Sequence, residues 1–392
     1  MTIAQFDVKT TQMCVRCIVD TSVPGHNFDE TGLCAYCRLH EKLEKRYPVG
    51  DEGREILEAC IDQIKREGQK NKFDCLIGIS GGRDSTYTLY LAKKVWGLRP
   101  LAVHFNDGFG NPLAGENMRK ATQKLDVELR TITSDWRESK DLRVAYLQAS
   151  TPDVGTTTDI GIANALYGVA AKEKVKNILI GQSFRTEGIA PLEWNYLDGK
   201  YLNTVHKQFG KIKLRPWKPT DPGFNLTFAH MFYYTVLRGI KTIPVLYYVN
   251  YIRKDASEFL KRELEWIYPG AHYWDDLYQS LMSYIMREKF GIDRRKYNYS
   301  ALVRSGQMSK EEALELLKDR YVIEDPKVID LCIKRLGLTR EEFDRYLNLP
   351  PKTFRDYKTS YSTIQLLRWP IKIASKLNLV PSITYDKYFE CG

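Results

Sequence analysis

Two clusters of residues in this chain have the types and spacing to do chemistry. The first is four cysteines, Cys14 and Cys17 followed by Cys34 and Cys37, in the pattern C-x2-C-x16-C-x2-C. Two knuckle turns at that spacing present four thiolates tetrahedrally, and four protein ligands leave no open position, so the ion expected is structural Zn2+. Gly32 suits the tight turn before the second pair. Two disulfides or four idle thiols are the alternatives, and a reducing compartment disfavours the disulfides. The second cluster is Ser80-Gly81-Gly82-Arg83-Asp84-Ser85, set between the apolar run 76–79 and a stretch with helical spacing. A strand-to-helix turn leaves the first helical N–H groups unpaired at the positive end of the dipole, which seats an anion such as phosphate. Gly81 and Gly82 admit close approach, Ser80 and Ser85 offer hydroxyls, Arg83 adds positive charge and Asp84 is placed to help hold Mg2+ at a pyrophosphate. The loop has no Walker lysine and is not G-x-G-x-x-G.

The elements that must position these residues follow from the hydrophobic pattern. Strand 74–80, helix 84–96, strand 100–105, helix 115–124, strand 126–133, helices 136–149 and 160–175 and strand 177–181 form a βαβ series. That series predicts an α/β fold with a doubly wound parallel sheet. Ligands of such sheets sit beyond the carboxyl ends of the strands, where SGGRDS, HFNDGFG (104–110) and GQSFRTEG (181–188) fall. A charged helical connector spans about 40–70, and 192–215 reads as a β-hairpin turning at Asp198-Gly199. From about 251 the pattern is helical: Ile252, Ala256, Phe259, Leu260, Leu264 and Ile267 make one face, and capping boxes at Ser309–Glu312 and Thr339–Glu342 open two further helices. The expected domains are a four-cysteine zinc module (1–46), a nucleotide-binding domain with its connector (47–250) and a C-terminal helical domain (251–392).

Composition sets bounds. At 392 residues, 43% hydrophobic and 28% charged, this is an ordinary globular chain long enough for two or three domains. Its net charge of +10 favours acidic partners without choosing among them. The N-terminus lacks a secretory signal pattern, and the most apolar region, 231–252, is broken by Arg238, Lys241 and Pro244, so a spanning helix is not expected and a cytoplasmic location is. Cys60, Cys75, Cys332 and Cys391 lie apart and read as buried or incidental thiols. The end, 362–389, mixes apolar residues with Arg and Lys. A membrane-surface or partner-docking segment fits it, but Pro370 breaks the periodicity and favours ordinary packing.

SGGRDS after an apolar strand resembles the PP-loop of the ATP pyrophosphatase superfamily. The resemblance implies cleavage of ATP between the α and β phosphates and adenylylation of a carbonyl or amide oxygen, so that a weak nucleophile can displace AMP. It places His104, Asn106 and Asp107 by the adenosine and Gly181 at the same ATP site. Transfer-RNA thiolating members pair a zinc ribbon with such a loop and are the alternative reading. They generally need cysteines downstream of the loop, and here only Cys332 and Cys391 follow Ser85, both far along the chain. Glutamine-dependent members carry their own amidase, and neither an N-terminal nucleophilic cysteine nor a G-x-C-x-G elbow is present.

Across nearly the whole chain the sequence is similar to the N-acetyl sugar amidotransferase family of bacterial surface polysaccharide (lipopolysaccharide O-antigen) synthesis. The matching stretches are MCVRCIVDTSVPGHNFDETGLCAYC, ISGGRDSTY, VHFNDGFG, TTTDIGIANALYGVA (156–170), ILIGQSFRTEGIAP (178–191) and KFGIDRRKYNYSALVRSGQMSKEEALELL (289–317). The resemblance implies conversion of an acetamido group on a nucleotide-linked sugar to an acetamidino group with ATP and ammonia. The ammonia would come from a separate glutaminase subunit, with a cyclase-like subunit as a further partner; nucleic acid is not expected. Carried over to this chain, Thr158, Asn164, Gln182, Ser183, Arg185 and Glu187 face the substrate. Asp159 holds magnesium or orients substrate, a plain helix N-cap being its other reading. Lys289, Arg294 and Arg295 fold back over the polyphosphate. One departure is His272-Tyr273-Trp274-Asp275, where the family has a run resembling HYES; a base for ammonium and a structural histidine are both open for His272.

Overall fold

The computed structural model describes residues 12–268, 276–319, 325–377 and 382–389. His272 and its neighbours, and Cys391, lie outside these. Five parallel strands form one sheet in the order β3-β2-β1-β4-β5: β1 (Cys75–Gly78), β2 (Pro100–Asn106), β3 (Leu129–Thr133), β4 (Asn177–Ile180) and β5 (Lys241–Pro244). Strand order reverses between β1 and β4, and such a switch point opens a crevice at the carboxyl ends of the strands. Strand β5 is absent from the sequence reading. It is four residues long with Ile243 alone fully inward, and Pro244, which cannot donate to a ladder, closes this edge strand.

Alternate residues of the strands feed two cores. Cys75, Ile77, Ile79 and Ala102 pack with α2 (Gly50–Gly68), α3 (Arg83–Tyr90), α4 (Pro112–Leu125) and α9 (Arg253–Leu264) on one face. Leu76, Leu101, Val103 and Ile178 pack with α6 (Thr156–Glu173) on the other. Strands buried on both sides read as continuous apolar runs, which is why β1 and β4 stand out in the sequence. Helix α5 (Trp136–Ala149) has the expected bounds, opened by Asp135 accepting from Arg137 N and closed by Ser150 in the left-handed region.

The stretch 192–215 is not a hairpin. Asp198 caps α7 (Gly199–Phe209) by accepting from Lys200 N, and Tyr201, Leu202 and Val205 form the buried face. An Asp-Gly pair serves a hairpin turn or a helix N-cap equally well; the helical spacing of the apolar residues decides.

The cysteine module runs into α1 (Ala35–Arg46), which begins one residue after Cys34. The C-terminal region is helical: α10 (Tyr278–Phe290), α11 (Arg295–Arg304), α12 (Lys310–Lys318), α13 (Pro326–Arg335), α14 (Arg340–Leu347), α15 (Tyr361–Leu366), α16 (Arg368–Lys376) and α17 (Ser382–Phe389), with the short α8 (Phe228–Phe232) before β5. Thr339 and Glu342 complete their capping box, while Ser309 is seen accepting from Glu312 N. Ile267, expected on the buried face of the helix at 251–267, is exposed beyond the end of α9. The four cysteines share one apolar core with Leu281 and Met282 of α10, Ile329 and Ile333 of α13 and Phe343 of α14.

Candidate active site

The phosphate-type loop sits at the switch point, between the carboxyl ends of β1 and β4. Gly81 has φ +80, and a Cβ there would lie 2.1 Å from the Ala114 carbonyl oxygen, so both conformation and space demand glycine. Its own carbonyl accepts from Trp266 Nε1 at 2.9 Å and from Asn117 Nδ2 at 3.3 Å, and Asn117 also brackets the backbone of Ile267. Gly181, just past β4, abuts the loop so closely that a Cβ would meet Asp84 O and Ser85 N within 2.9 Å. Ser80 and Ser85 hydroxyls lie 3.2 Å apart, and Ser85 Oγ accepts from Ser80 N. The first helical bond of α3 is Thr86 N to Gly82 O, so the N–H groups of Arg83, Asp84 and Ser85 have no intrahelical acceptor and point together out of the helix end.

Arg83 does not project toward a ligand. Its Nε donates to Asp84 at 2.9 Å and to the Tyr251 hydroxyl at 3.0 Å, and Tyr251 also hydrogen-bonds Asp84. Burial pushes the Asp84 carboxyl up, but the Arg83 charge, the Tyr251 hydroxyl and the Arg253 charge outweigh it and hold it below the usual carboxylate range. Glu187 is its hydrogen-bond partner. Burial and the charge of Asp84 push the Glu187 carboxyl well above the usual range, opposite in direction to Asp84. The turn that returns Glu187 to the loop is fixed by Thr186 N and Glu187 N donating to Ser183 O.

His104, at the end of β2, meets Ile79 O through Nδ1 at 3.1 Å, and burial lowers its pKa, keeping the ring neutral. Asn106 accepts from Gly108 N and lines an open cleft of about 410 Å³ with Gly108, Thr133, Ser134, Trp136 and Arg335. Asp107 does not face that cleft. It is buried, pairs with the fully buried Arg143, and accepts from Phe109 N and from Thr158 Oγ1 at 2.9 Å. Arg143 completes the triangle by donating to Thr158 at 2.8 Å, its guanidinium lying over the Phe109 and Tyr278 rings. Thr158 and Asp107 therefore fasten α6 to the strand edge rather than meet a ligand.

Other expected ligand contacts are likewise committed to the scaffold. Arg185 is buried and clamps Tyr247 O (2.7 Å) and Tyr47 O (2.9 Å), tying α1 to the segment after β5. Asn164 donates to Gly223 O from within α6, and Ser183 is fully buried, whereas Gln182 is half-buried at the strand end. Lys289 donates to Tyr346 O at 2.6 Å, and burial lowers its pKa to about 8. Arg295 is spent on Asp293 and on the carbonyls of Leu316, Leu317 and Asp319. Arg294 donates to Gln279 Oε1 at 2.7 Å; Asp159 accepts from Asn195 Nδ2, and burial pushes its carboxyl up against the hydrogen bond and the charges of Lys387 and Arg294. Asp159 is not the N-cap of α6, a place taken by Gly155.

Four residues that shape the site escaped the sequence reading: Asn117, Arg143, Tyr251 and Trp266. Each acts on a partner more than 35 positions away, and the lone visible signal was an arginine set in the apolar spacing of 136–149.

The cysteine quartet is compact. Cys14, Cys17, Cys34 and Cys37 are fully buried with all four Sγ atoms within 4.8 Å of one another, and the Cys14–Cys37 and Cys17–Cys34 pairs stand 3.7 Å apart. Sulfurs bound tetrahedrally to zinc at about 2.3 Å are separated by about 3.8 Å, whereas disulfide sulfurs are about 2.05 Å apart. The donor set fits a metal ion and not disulfides. Arg304 Nη1 lies 3.7 Å from Cys17 Sγ, offsetting thiolate charge.

The model of the family described as LPS biosynthesis protein WbpG-like, C-terminal domain, matches residues 253–370. An uncharacterized protein of Methanocaldococcus jannaschii is 23% identical over 314 residues, 80% of this chain and 94% of that protein. Among solved structures, NMN synthetase from Francisella tularensis aligns over 76% of this chain and 98% of its own at 14% identity and TM-score 0.30. The U34-tRNA thiolase NcsA from Methanococcus maripaludis, with its 4Fe–4S cluster, aligns over 79% and 89% at 15% identity and TM-score 0.29. The NH3-dependent NAD synthetase from Campylobacter jejuni aligns over 40% and 72% at 16% identity and TM-score 0.28.

Proposed function

We propose that this chain is the synthetase subunit of an ATP-dependent, AMP-forming amidotransferase that converts the N-acetyl group of a nucleotide-linked sugar to an acetamidino group. The observation that carries the ATP chemistry is the SGGRDS loop at the switch point, where the N–H groups of residues 83–85 have no intrahelical acceptor and the carboxyls of Asp84 and Glu187 interact. The amide N–H groups of 83–85 with the Ser80 and Ser85 hydroxyls would take the departing pyrophosphate and offset its charge. Asp84 and Glu187 would hold a Mg2+ ion, which would supply positive charge against the departing pyrophosphate. Asn106 and the cleft it lines would receive the adenosine, and Asp159 and Gln182 would border the sugar.

The acetamido oxygen attacks the α phosphorus and pyrophosphate leaves. Ammonia then adds to the activated carbon and AMP departs with the former amide oxygen, leaving the amidine. A glutaminase partner would supply the ammonia. The lipopolysaccharide-biosynthesis description of the matched C-terminal family supports the sugar setting. Thiolation of transfer RNA is the less favoured reading. Among the described residues the one cysteine after the loop is Cys332, fully buried with its thiol on Leu277 O and its pKa raised by burial to about 12, unsuited to carry sulfur. Turnover with ammonium and a panel of UDP- and CMP-linked N-acetyl sugars should release AMP and pyrophosphate in equal amounts; ADP as product would overturn the mechanism.

A further inference from the structure

Helix α16 buries one side and leaves the other bare. Ile371 and Ser375 turn inward, while Trp369, Ile373 and Leu377 stand 71%, 60% and 60% exposed, next to Leu366 at 83%. At four-residue spacing each step rotates by about 40°, so Trp369, Ile373 and Leu377 make one stripe along the helix. Pro370 does not break this stripe, because it occupies the third position of α16, inside the first turn where its missing N–H costs no hydrogen bond.

Each residue of the stripe follows a cation: Arg368-Trp369, Lys372-Ile373 and Lys376-Leu377. A positive row therefore runs along one margin of the apolar row. The Lys372 ammonium lies 5.3 Å from the Trp369 ring centre, and the Arg368 guanidinium lies 5.5 Å from that of Phe389, so the charges sit at the border of the stripe. No acidic residue occurs in the sequence between Asp356 and Asp386, whereas Lys358, Arg368, Lys372 and Lys376 do. The charge carried by the segment is of one sign. An apolar row with a tryptophan, flanked by a basic row, complements a surface that is apolar beneath and negative on top.

We propose that α15 and α16 dock the protein on an anionic lipid bilayer, with Trp369, Ile373 and Leu377 among the upper acyl carbons and Arg368, Lys372 and Lys376 at the phosphates. Among the described residues no helix is long and apolar enough to cross a membrane, and the nine residues of α16 lie along the surface rather than through it. The proposal stands apart from the amidotransferase chemistry and needs none of its residues.

Flotation of the full chain with phosphatidylcholine vesicles, with and without phosphatidylglycerol, tests it. The protein should rise with the anionic vesicles, stay behind with the neutral ones, and be released by salt as the attraction is screened. Lys372→Glu with Lys376→Glu should weaken the partition by about tenfold or more, and Trp369→Ser with Ile373→Ser should abolish flotation. Both doubles alter exposed or half-exposed positions and should keep the wild-type circular dichroism. The proposal is overturned by failure to float with anionic vesicles, by equal binding to neutral ones, or by wild-type flotation of either double. It is equally overturned if sedimentation shows self-association that Trp369→Ser with Ile373→Ser removes while no vesicle binding occurs, which would assign the stripe to a second copy.

Discussion

The carboxyls of Glu187 and Asp84 interact beside the SGGRDS loop. The two residues are 103 positions apart in sequence, and their carboxyls are driven in opposite directions, Asp84 below the usual range and Glu187 well above it. Because Glu187 binds its proton more tightly when folded, unfolding releases that proton once the pH exceeds 4.5, its ordinary value, and stability falls as pH rises from there toward the raised folded value. Asp84 acts in the opposite sense, its contribution being lost as the pH falls below 3.8. Glu187→Gln keeps a hydrogen-bond donor without the titration. Urea unfolding followed against pH should show a flatter slope above pH 4.5 in this variant than in the wild type.

Asp84→Asn should lower turnover in the proposed reaction by about a hundredfold or more, the scale on which one charge-stabilising group acts. Bound-metal content and thermal midpoint should remain near wild type. A variant that loses turnover and the metal of the cysteine quartet together would point to a collapsed fold instead of a lost ligand for the cation at the loop.

Gly81→Ala places a methyl against the Ala114 carbonyl in a backbone conformation that costs about 1–3 kcal/mol for a non-glycine residue. The loop must open to accept it, and Trp266 and Asn117 then lose their acceptor. ATP affinity, measured by calorimetry, should fall at least tenfold while Ala114→Gly in the same background leaves the defect largely in place, because the obstacle is the backbone oxygen.

Arg143 is wholly buried between two aromatic rings and is answered by Asp107 and Thr158. Arg143→Met strands the Asp107 carboxylate and should cost about 3–5 kcal/mol in chemical denaturation. Adding Asp107→Asn removes the orphaned charge and should recover a large part of that loss.

Chelation of the metal, or Cys17→Ser, should unfold more than the cysteine module itself. The cysteines share their core with α10, α13 and α14, and Arg16 and Lys310 bridge the module to 304–310 through Arg304 O and Cys14 O. The thermal midpoint should drop by roughly ten degrees or more, with loss of helical ellipticity from the C-terminal region.

Much of this molecule is legible in its sequence where the signal is local. The bounds of α5, the parallel strands and the loop at the end of β1 follow from apolar periodicity and from the steric demands of a strand-to-helix turn, and the cysteine quartet from ligand spacing. Short-range signals failed where one pattern serves two structures: Asp198-Gly199 caps a helix, and the four residues of β5 carry too little burial to stand out.

What only the tertiary structure decided is where the charged side chains point. Arg83 at the start of α3 and Arg185 in the turn after β4 both follow strand ends, and by type both suit phosphate. Tyr251, 168 residues on, draws Arg83 inward, and Tyr47, 138 residues back, draws Arg185. The same remoteness hid the pairing of Asp107 with Arg143 and of Asp84 with Glu187. A backbone conformation or a buried stripe is set by neighbours within a few residues, so the sequence determines it; the partner of a long charged side chain is whatever the packed fold brings within about 3 Å, and burial makes that choice costly to leave unmade.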